Sequence, residues 1–207
     1  MLMASSFRQL GVAVRVLLVF TVILGVLYPL SMTGIAQVLF PGNANGSIVK
    51  VDGKAVGSDL IGQGYTLDSG TKDADGKPVM VADPKWFQTR PSAVDYDGMG
   101  SAASQYGPNN PELVKLIDER RQEVAKLNGV DPSQVPPDAV TASGSGLDAG
   151  ISPAYAAIQV NRVARERGMT VVAVQQLVKE NTTGRTLGFL GEPYVNVVTL
   201  NAALAKS

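Results

Sequence analysis

The sequence contains neither cysteine nor histidine. Without cysteine, neither a disulfide framework nor a thiolate metal site can form, and the chain would tolerate an oxidising compartment. Without histidine, the chain lacks the commonest general base near neutral pH and the commonest zinc ligand. Both absences argue against hydrolase or metalloenzyme chemistry, and we expect no resident cofactor or metal ion.

Charged residues are scarce and of balanced sign. They make up 17% of the 207 residues, with 18 Lys and Arg against 18 Asp and Glu. Such a balance gives no summed field that would draw the chain to nucleic acid, so nucleic acid is excluded as a partner. The length allows one ordinary domain plus a tail.

One long uncharged segment explains why so few residues are charged. Residues 16–40 carry no charge, and as a helix they would extend for roughly 37 Å, more than the hydrocarbon core of a bilayer. Arg8 and Arg15 precede this segment, whereas the next charge is Lys50. The positive-inside rule therefore predicts a cytoplasmic N-terminus at 1–15, a transmembrane helix at 16–40 and an extracytoplasmic remainder.

Two alternatives remain open for this segment. Residues 16–30 could be the apolar core of a removable signal peptide, with Gly34 and Ala36 in a small-x-small cleavage site. Polar side chains within the helix, at Ser31, Thr33 and Gln37, raise a separate question. They predict packing against other membrane helices, unless Ser and Thr bond only their own backbone.

Residues 47–207, after a Gly/Asn linker at 41–46, predict one α/β domain of the mixed α+β type. Asp52-Gly53 lies between two short segments and indicates a β-hairpin. Residues 79–82 and 86–89 are predicted to be extended. The polar segment 66–78 predicts a surface loop, and its Asp73-Ala74-Asp75-Gly76 indicates a turn rather than a calcium loop.

Helices are predicted from their end signals. Asn110-Pro111 and Gly129 bound one helix, Ser152-Pro153 and Gly168 bound a second, and Thr170 begins a third that runs to Glu180. The Val-rich residues 194–200 predict a strand buried on both faces, with Asn201 capping a last short helix.

The segment 141–150 contains glycines and small hydroxyl residues, which invites a search for catalysis. A nucleophile elbow at Ser145 would need glycine at position 143, where the chain has Ser143. The glycines also miss the phosphate-loop and dinucleotide spacings. Arg90, Arg162 and Arg185 could bind a phosphate or a partner's carboxylate, or could tie loops together through backbone carbonyls.

Five motifs in order resemble the C subunit of the bacterial Kdp potassium-transporting ATPase. They are WFQTRPSA at 86–93, YGPNNPEL at 106–113, VTASGSGLD at 140–148 with ISP at 151–153, RVAR at 162–165, and GFLGEPYVNV at 188–197. The resemblance spans nearly the whole chain. The sequence departs from that pattern at Gln88 and Asn181, where histidine is common, and at Asn161, where proline is usual.

The resemblance implies a subunit without catalysis of its own in the inner (plasma) membrane of a bacterium. Its partners would be a channel-like potassium-selecting subunit and a P-type ATPase subunit, potassium would be the transported ion, and the subunit would raise the ATP affinity of the ATPase subunit. The predicted topology keeps the domain away from cytoplasmic ATP, so ATP would act through that partner. The alternative is a membrane-anchored hydrolase that uses Ser143 or Ser145.

The candidates for partner contact are polar residues of the anchor and of the motif-bearing segments: Ser31, Thr33, Gln37, Arg90, Asn109, Asn110, Ser143, Ser145, Asp148, Arg162, Arg185 and Asn196.

Overall fold

A computed structural model describes the backbone of residues 2–206 and the side chains of residues 7–206. The chain divides into two compact units, Met1–Ser47 and Ile48–Ser207. The first unit is helical, and the second contains both strands and helices. The predicted mixed α/β class, with one long apolar helix ahead of a sheet-containing domain, is confirmed.

The first unit is a long helix with a local change of hydrogen bonding, followed by a separate short helix. Its elements are α1 (Leu2–Val22), a π-helical turn (Ile23–Leu27), α2 (Tyr28–Leu39) and a four-residue helix α3 (Pro41–Ala44). Residues Phe7–Leu39 are long and apolar enough to cross a membrane, and no part of their apolar window is buried in the structure. The segment therefore has the length and the exposed apolar surface that a bilayer requires.

The π-helical turn ends two residues before Pro29, which has no N–H to donate to the preceding turn. The N–H of Tyr28 donates to the carbonyl of Ile23, five residues earlier. Thr33 Oγ1 donates to the Pro29 carbonyl at 2.8 Å, which is the own-backbone alternative considered for Thr33. A proline and a π-turn together account for a local departure from α-helical geometry.

Two antiparallel hairpins open the second unit: β1 (Ile48–Val51) with β2 (Lys54–Ser58), and β3 (Thr66–Lys72) with β4 (Pro78–Ala82). Asp52 and Gly53 both have positive φ, 49° and 78°, as the tight hairpin turn requires. The first hairpin is thus confirmed. The two ladders share no strand, so they form two separate small sheets.

The prediction of a surface loop over 66–78 is wrong, because Thr66–Lys72 forms the strand β3. All seven of its residues are exposed, so the strand shows no buried face and hence no clear alternation of apolar and polar residues. The predicted turn within the segment is confirmed: Asp73 Oδ1 accepts from the N–H groups of Asp75 and Lys77 at 2.9 and 2.8 Å.

The three predicted central helices are confirmed with their caps: α4 (Pro111–Asn128), α5 (Pro153–Arg167) and α6 (Val171–Glu180). Asn110, Ser152 and Thr170 each accept a backbone N–H at the helix start. Gly129 and Gly168 end α4 and α5 at φ of 65° and 66°, a conformation that glycine adopts without strain. Two 3₁₀ turns, Pro132–Gln134 and Pro137–Ala139, lead from α4 towards α5.

The predicted strand over 194–200 is wrong beyond its third residue. The strand β7 is Tyr194–Asn196, and the helix α7 begins at Val197 and ends at Ala205. Asn196 Oδ1 accepts from the N–H groups of Val198 and Thr199, so Asn196 caps this helix and Asn201 lies inside it. β7 is also not buried on both faces, because Tyr194 is exposed and only Val195 is fully buried.

A three-stranded antiparallel sheet of order β5-β7-β6 organises the domain core, where β5 is Gly150–Ile151 and β6 is Thr182–Thr183. Ile151 pairs with Val195 and Thr182 pairs with the same residue from the other side. Helices α5, α6 and α7 bury small and branched apolar residues around this sheet. The residues in its centre are Ile151, Ala156, Val160, Val163, Val174, Val195, Leu200 and Leu204.

The predicted extended segment 86–89 belongs to no strand, and buried side-chain amides bond its backbone instead. Asn201 accepts from the N–H of Phe87 at 3.0 Å and donates to its carbonyl at 2.9 Å. Gln159 does the same for Gln88, at 2.7 and 3.1 Å. Because buried backbone groups need partners, these two amides replace the neighbouring strand that the segment lacks.

Candidate functional site

Three segments meet around the glycine-rich loop 141–150. Backbone bonds join Ser143 N–H to the Pro91 carbonyl at 3.3 Å, and Ala102 N–H to the Ser145 carbonyl at 3.0 Å. A third bond joins Gly62 N–H to the Leu147 carbonyl at 2.8 Å. The motifs at 86–93 and 140–148, far apart in the chain, thus form one structural unit on the domain.

The hydroxyls of Ser143 and Ser145 stabilise turns within this loop. Ser143, which is 5% exposed, accepts from Gly146 N–H through its Oγ at 2.8 Å, and Ser145 Oγ accepts from Leu147 N–H at 3.1 Å. In the described part of the chain, no carboxylate or amine bonds either hydroxyl. A nucleophilic serine needs a base within hydrogen-bond reach, so the geometry does not favour the hydrolase alternative.

Gly146 fixes how closely the loop approaches its neighbours. Its φ is +70°, and a Cβ at this position would lie 2.6 Å from Val94 Cγ2 and 2.8 Å from the Ala102 carbonyl oxygen. Its own carbonyl accepts from Ser92 Oγ at 2.7 Å. Glycine is therefore needed here for both conformation and space.

Arg90 and Asp148 connect the two motifs at the edge of this unit. Their Nη1 and Oδ2 atoms are 3.2 Å apart, and the side chains are 25% and 39% exposed. Asp148 Oδ1 accepts from Gly150 N–H at 2.9 Å, and the Arg90 carbonyl accepts from the Tyr96 hydroxyl. Burial raises the pKa of Tyr96, which keeps that hydroxyl a donor. Arg90 and Asp148 remain reachable from solvent, so a partner could contact either.

Arg162 is buried, with 1% of its surface exposed. Its guanidinium donates to the Pro84 and Trp86 carbonyls and to the side-chain oxygens of Asn128 and Gln159. Burial lowers its pKa to about 10, so the group stays protonated at neutral pH. Arg162 thus ties the segment before Phe87 to α4 and α5, which is the loop-tying alternative, and a partner has no direct access to it.

The candidate asparagines occupy different positions. Asn110 caps α4, and Asn196 caps α7 while its Nδ2 donates to the Asp59 carbonyl at 2.6 Å. Asn109 is exposed directly before the cap of α4. Asn109 therefore offers its side chain to solvent, whereas the other two stabilise local structure.

The anchor candidates lie on the exposed apolar helix of the first unit. Gln37 exchanges amide hydrogen bonds with Asn45, at 3.3 and 3.1 Å, so the end of α2 is tied to the turn that follows it. Ser31 is exposed on the same helix. An unpaired polar side chain in hydrocarbon costs free energy. The hydrogen bonds between Gln37 and Asn45 would lower that cost at this end of the helix.

Arg185 forms an exposed ion pair with Glu192 at 2.6 Å. The pair crosses the base of a tight turn, where Thr186 and Leu190 form an isolated bridge. It lies apart in sequence from the Arg90 and Asp148 unit, so the structure divides the candidates between a loop cluster, this turn and the anchor.

The contacts of Gln159 and Asn201 and the exposed turn 187–190 were not among the predicted site features: Asn201 was predicted only as a helix cap, and residues 188–197 only as a family motif. The two amides lie in apolar helical patterns and bond residues 71 and 114 positions away, and no local signal reveals such pairs. The turn had a signal, since glycines at 188 and 191 enclose Phe189-Leu190.

The described residues form no cluster of metal ligands, and the mixed domain has a small cavity. No group of three or more His, Cys, Asp or Glu residues among them could hold a metal ion. A shallow cavity of about 270 Å³ lies between α4 and the 93–106 segment, beside Leu113, Leu116 and Arg120. Drug-sized ligands usually occupy roughly 300–1,000 Å³, so this cavity is small for such a ligand.

Comparison with known proteins shows similarity over nearly the full chain. The family model described as "K+-transporting ATPase, c chain" matches residues 10–206. A protein of Streptomyces coelicolor is 45% identical over 217 aligned positions, covering 99% of this chain and 95% of its own length. A protein of Caldanaerobacter subterraneus is 48% identical, covering 93% and 92%.

Both relatives bear the name Potassium-transporting ATPase KdpC subunit, as does a protein of Methylococcus capsulatus that is 46% identical over 93% of this chain and 94% of its own length. The matched region includes the apolar helix as well as the domain core. The chain therefore belongs to the KdpC family, the c chains of K+-transporting ATPases.

Proposed function

We propose that this chain is a non-catalytic accessory subunit of an ATP-driven potassium uptake complex and stabilises the assembly of its other subunits. The observation that carries this proposal is the family match over residues 10–206, which covers the helical unit and the mixed domain together. A chain with both an apolar anchor and a folded domain can contact partners within the membrane and outside it.

The proposed topology places the N-terminus in the cytoplasm and Ile48–Ser207 outside the plasma membrane of a bacterium. Its support is the position of Arg8 and Arg15 before the apolar helix, with no further charge before Lys50. The chain has no cysteine, so a single introduced thiol can report the topology.

A Ser69→Cys variant tests this topology. Ser69 lies on the exposed strand β3, and we expect a membrane-impermeant maleimide to label it in intact cells. Gln9→Cys, at the other end of the anchor, is the matched control and should react only after the membrane is opened. Labelling of Gln9→Cys alone in intact cells would reverse the topology.

The proposed partners are a channel-like potassium-selecting subunit and a P-type ATPase subunit. In the membrane, the exposed apolar helix Phe7–Leu39 would pack on their helices, with Ser31 and Gln37 near that contact. Outside it, Arg90, Asn109, Asp148 and Arg185 are the candidates that solvent reaches. Arg162 would act only indirectly, through the segment that it holds.

The assembly role is tested by removing the chain from cells that produce the other subunits. We expect the remaining subunits to dissociate during detergent extraction, and potassium-stimulated ATP hydrolysis in the purified fraction to fall to background. Restoring the full chain from a plasmid is the control. Recovery of an intact, fully active complex without the chain would overturn the proposal.

A rise in the ATP affinity of the ATPase subunit is the regulatory part of the proposal. With the domain outside the cell, this effect must reach the nucleotide through the partner rather than by direct contact. We expect the KM for ATP to rise when the anchor contact is weakened while the domain remains folded. Direct cross-linking of a photoreactive ATP analogue to Ile48–Ser207 would contradict this route.

The serine alternative has its own test. Substituting Ser143 and Ser145 together by alanine removes both hydroxyls, and the complex should still assemble and hydrolyse ATP in response to potassium. The Gly146 and Leu147 N–H groups lose their acceptors in this variant, so its thermal stability is measured alongside activity. Loss of pumping in a fully stable variant would favour a chemical role for the serines.

A further inference from the structure

The turn at residues 187–190, between β6 and β7, exposes three large apolar side chains, and we name it the apolar tip. Leu187 is 79% exposed, Phe189 is 68% exposed and Leu190 is 50% exposed. Single exposed apolar residues are common on protein surfaces, but a cluster of them marks an interaction site more often.

Hydrogen bonds make the apolar tip a defined structure. Thr186 and Leu190 exchange two backbone bonds, each 2.9 Å long. Gly188 N–H donates to the Arg185 carbonyl at 3.1 Å, and Phe189 N–H donates to the Thr186 carbonyl at 3.3 Å. The chain on either side continues into β6 and β7 of the central sheet. Because the tip is ordered before binding, little entropy is lost on contact.

The backbone of the tip is strained at Leu187, whose side chain hardly packs against the rest of the domain. Leu187 has a φ of 54°, in the left-handed region that disfavours a branched side chain and that glycine adopts freely. A leucine that is 79% exposed gains little from packing within the domain. Strain of this kind often accompanies a functional position.

We propose that the apolar tip inserts into an apolar pocket on the extramembrane surface of another subunit of the same transport complex. This inference rests on the function proposed above, and it identifies one surface through which the chain would contact another subunit. Leu187, Phe189 and Leu190 would be the buried anchors, and the Arg185–Glu192 pair would lie at the rim, where charged groups are expected.

The size of the tip favours a partner that is already held nearby. Its exposed apolar surface is on the order of 300 Å², whereas one side of a standard interface buries about 800 Å². Such a contact is too small to join two free proteins. A membrane anchor raises the effective concentration of neighbouring subunits to roughly the millimolar range, where a small contact suffices.

The charge of the tip favours protein over lipid. Its one cation, Arg185, is paired with Glu192 at 2.6 Å, and residues 186–191 carry no charge. Segments that bind anionic membrane surfaces usually combine apolar residues with unpaired Lys or Arg. The tip lacks that second feature.

Site-specific photo-cross-linking tests which surface the tip contacts. The photoreactive residue p-benzoylphenylalanine replaces Phe189 in the full chain, coexpressed with the other subunits in native membranes. We expect one product with the mass of this chain plus one other subunit. The same residue in place of Val172, which is 73% exposed on α6, is the control and should give at most background. Products with lipid alone, with a second copy, or equal products at both positions would overturn the inference.

A second pair of variants separates binding from folding. Leu187→Gly removes an anchor and also relieves the positive φ, so the thermal stability of the isolated chain should not fall. Its recovery with an affinity-tagged ATPase subunit after detergent extraction should drop about tenfold or more, as expected for an interface anchor. Leu60→Ser, at a residue that is 64% exposed elsewhere on the domain, should leave recovery unchanged.

The outcomes distinguish this inference from the proposed function. If the unaltered chain is not recovered with the ATPase subunit, the proposed function fails. If the unaltered chain and Leu187→Gly are recovered equally, the proposed function stands and the contact through the apolar tip is overturned.

Discussion

Arg162 illustrates how much one buried side chain contributes to this domain. Its guanidinium donates to two backbone carbonyls and to two side-chain amides that are themselves buried. Arg162→Met would leave several of these acceptors unpaired, at about 1–3 kcal/mol each. Because neighbouring groups can relax, we expect the free energy of unfolding to fall by roughly 3 kcal/mol.

The measurement is a urea titration of the full chain in detergent, followed by the fluorescence of Trp86. Trp86 is the single tryptophan, its carbonyl accepts from Arg162, and the Arg167 guanidinium lies 4.0 Å from its ring. Arg165→Met is the control, since Arg165 is exposed on the same helix. Equal stability of the two variants would show that Arg162 does not stabilise the domain through its bonds to the segment before Phe87.

Gly146 provides a second test at the level of one residue. Gly146→Ala places a Cβ within 2.6 Å of Val94 Cγ2 at a φ of +70°, and we expect a loss of about 2 kcal/mol or more in the free energy of unfolding. Gly144→Ala is matched to it, because nothing lies within 4 Å of a Cβ at Gly144. Similar midpoints in a thermal melt of the two variants would contradict this view of the loop.

Local signals predicted the residues that end helices, and non-local contacts escaped prediction. Asn110 and Gly129 act through atoms within a few positions of themselves, so their types alone indicate their function. Arg162 is different, because its bonds reach Pro84 and Asn128. The sequence indicated that an arginine could tie loops, but it could not indicate which of the arginines does so.

At the scale of elements, the ribbon of β3 and β4 differs from the ribbon of β1 and β2. The β1 and β2 strands pack against α7, whereas β3 is exposed along its whole length. Two-stranded ribbons are marginally stable by themselves. We therefore expect backbone amides in β3 and β4 to exchange with deuterium through local opening, much faster than those in α5.

Hydrogen–deuterium exchange followed by mass spectrometry of peptides checks this expectation. Peptides from Thr66–Lys72 should lose protection first, those from Ile48–Val51 later, and those from Pro153–Arg167 last. The ribbon of β1 and β2 is the internal control, because it also has only two strands but packs against α7. Protection of β3 equal to that of α5 in the isolated chain would show that the ribbon is stabilised by contacts beyond its own ladder.

The errors in element prediction share one physical cause. β3 lacks an apolar face because it is exposed on both sides. Residues 197–200, the first turn of α7, were predicted to be strand because a Val-rich segment within a buried core shows neither helical nor strand periodicity. The cap at Asn196 decides the second case. Where a segment is exposed or buried on all sides, capping and turn residues thus predict its secondary structure better than hydropathy does.

At the scale of the whole molecule, the chain combines a long apolar helix and a mixed domain, which are separate compact units. We expect residues 48–207, produced without the anchor, to fold with the helix content of the intact domain, because the core lies entirely within this unit. At micromolar concentration, the separated domain should no longer be recovered with the other subunits, since the tether supplies the effective concentration.

Circular dichroism and affinity recovery from detergent extracts measure the two parts of this prediction, with the full chain as the control. Recovery of the separated domain at the level of the full chain would show that the domain binds its partners without help from the membrane. Loss of helical signal would show instead that the anchor is needed for folding.

The two amides that hold residues 87 and 88 have a consequence for how this chain can vary. Gln159 and Asn201 bond main-chain atoms, which are the same for almost every amino acid. The two bonds from Gln159 would thus survive a change of side chain at position 88, as long as an N–H remains there, and only the bonds from the Gln88 amide to the Asp83 and Trp86 carbonyls would be lost. Proline is the substitution that the arrangement forbids, while at 159 and 201 hardly any replacement could offer both a donor and an acceptor at the same reach.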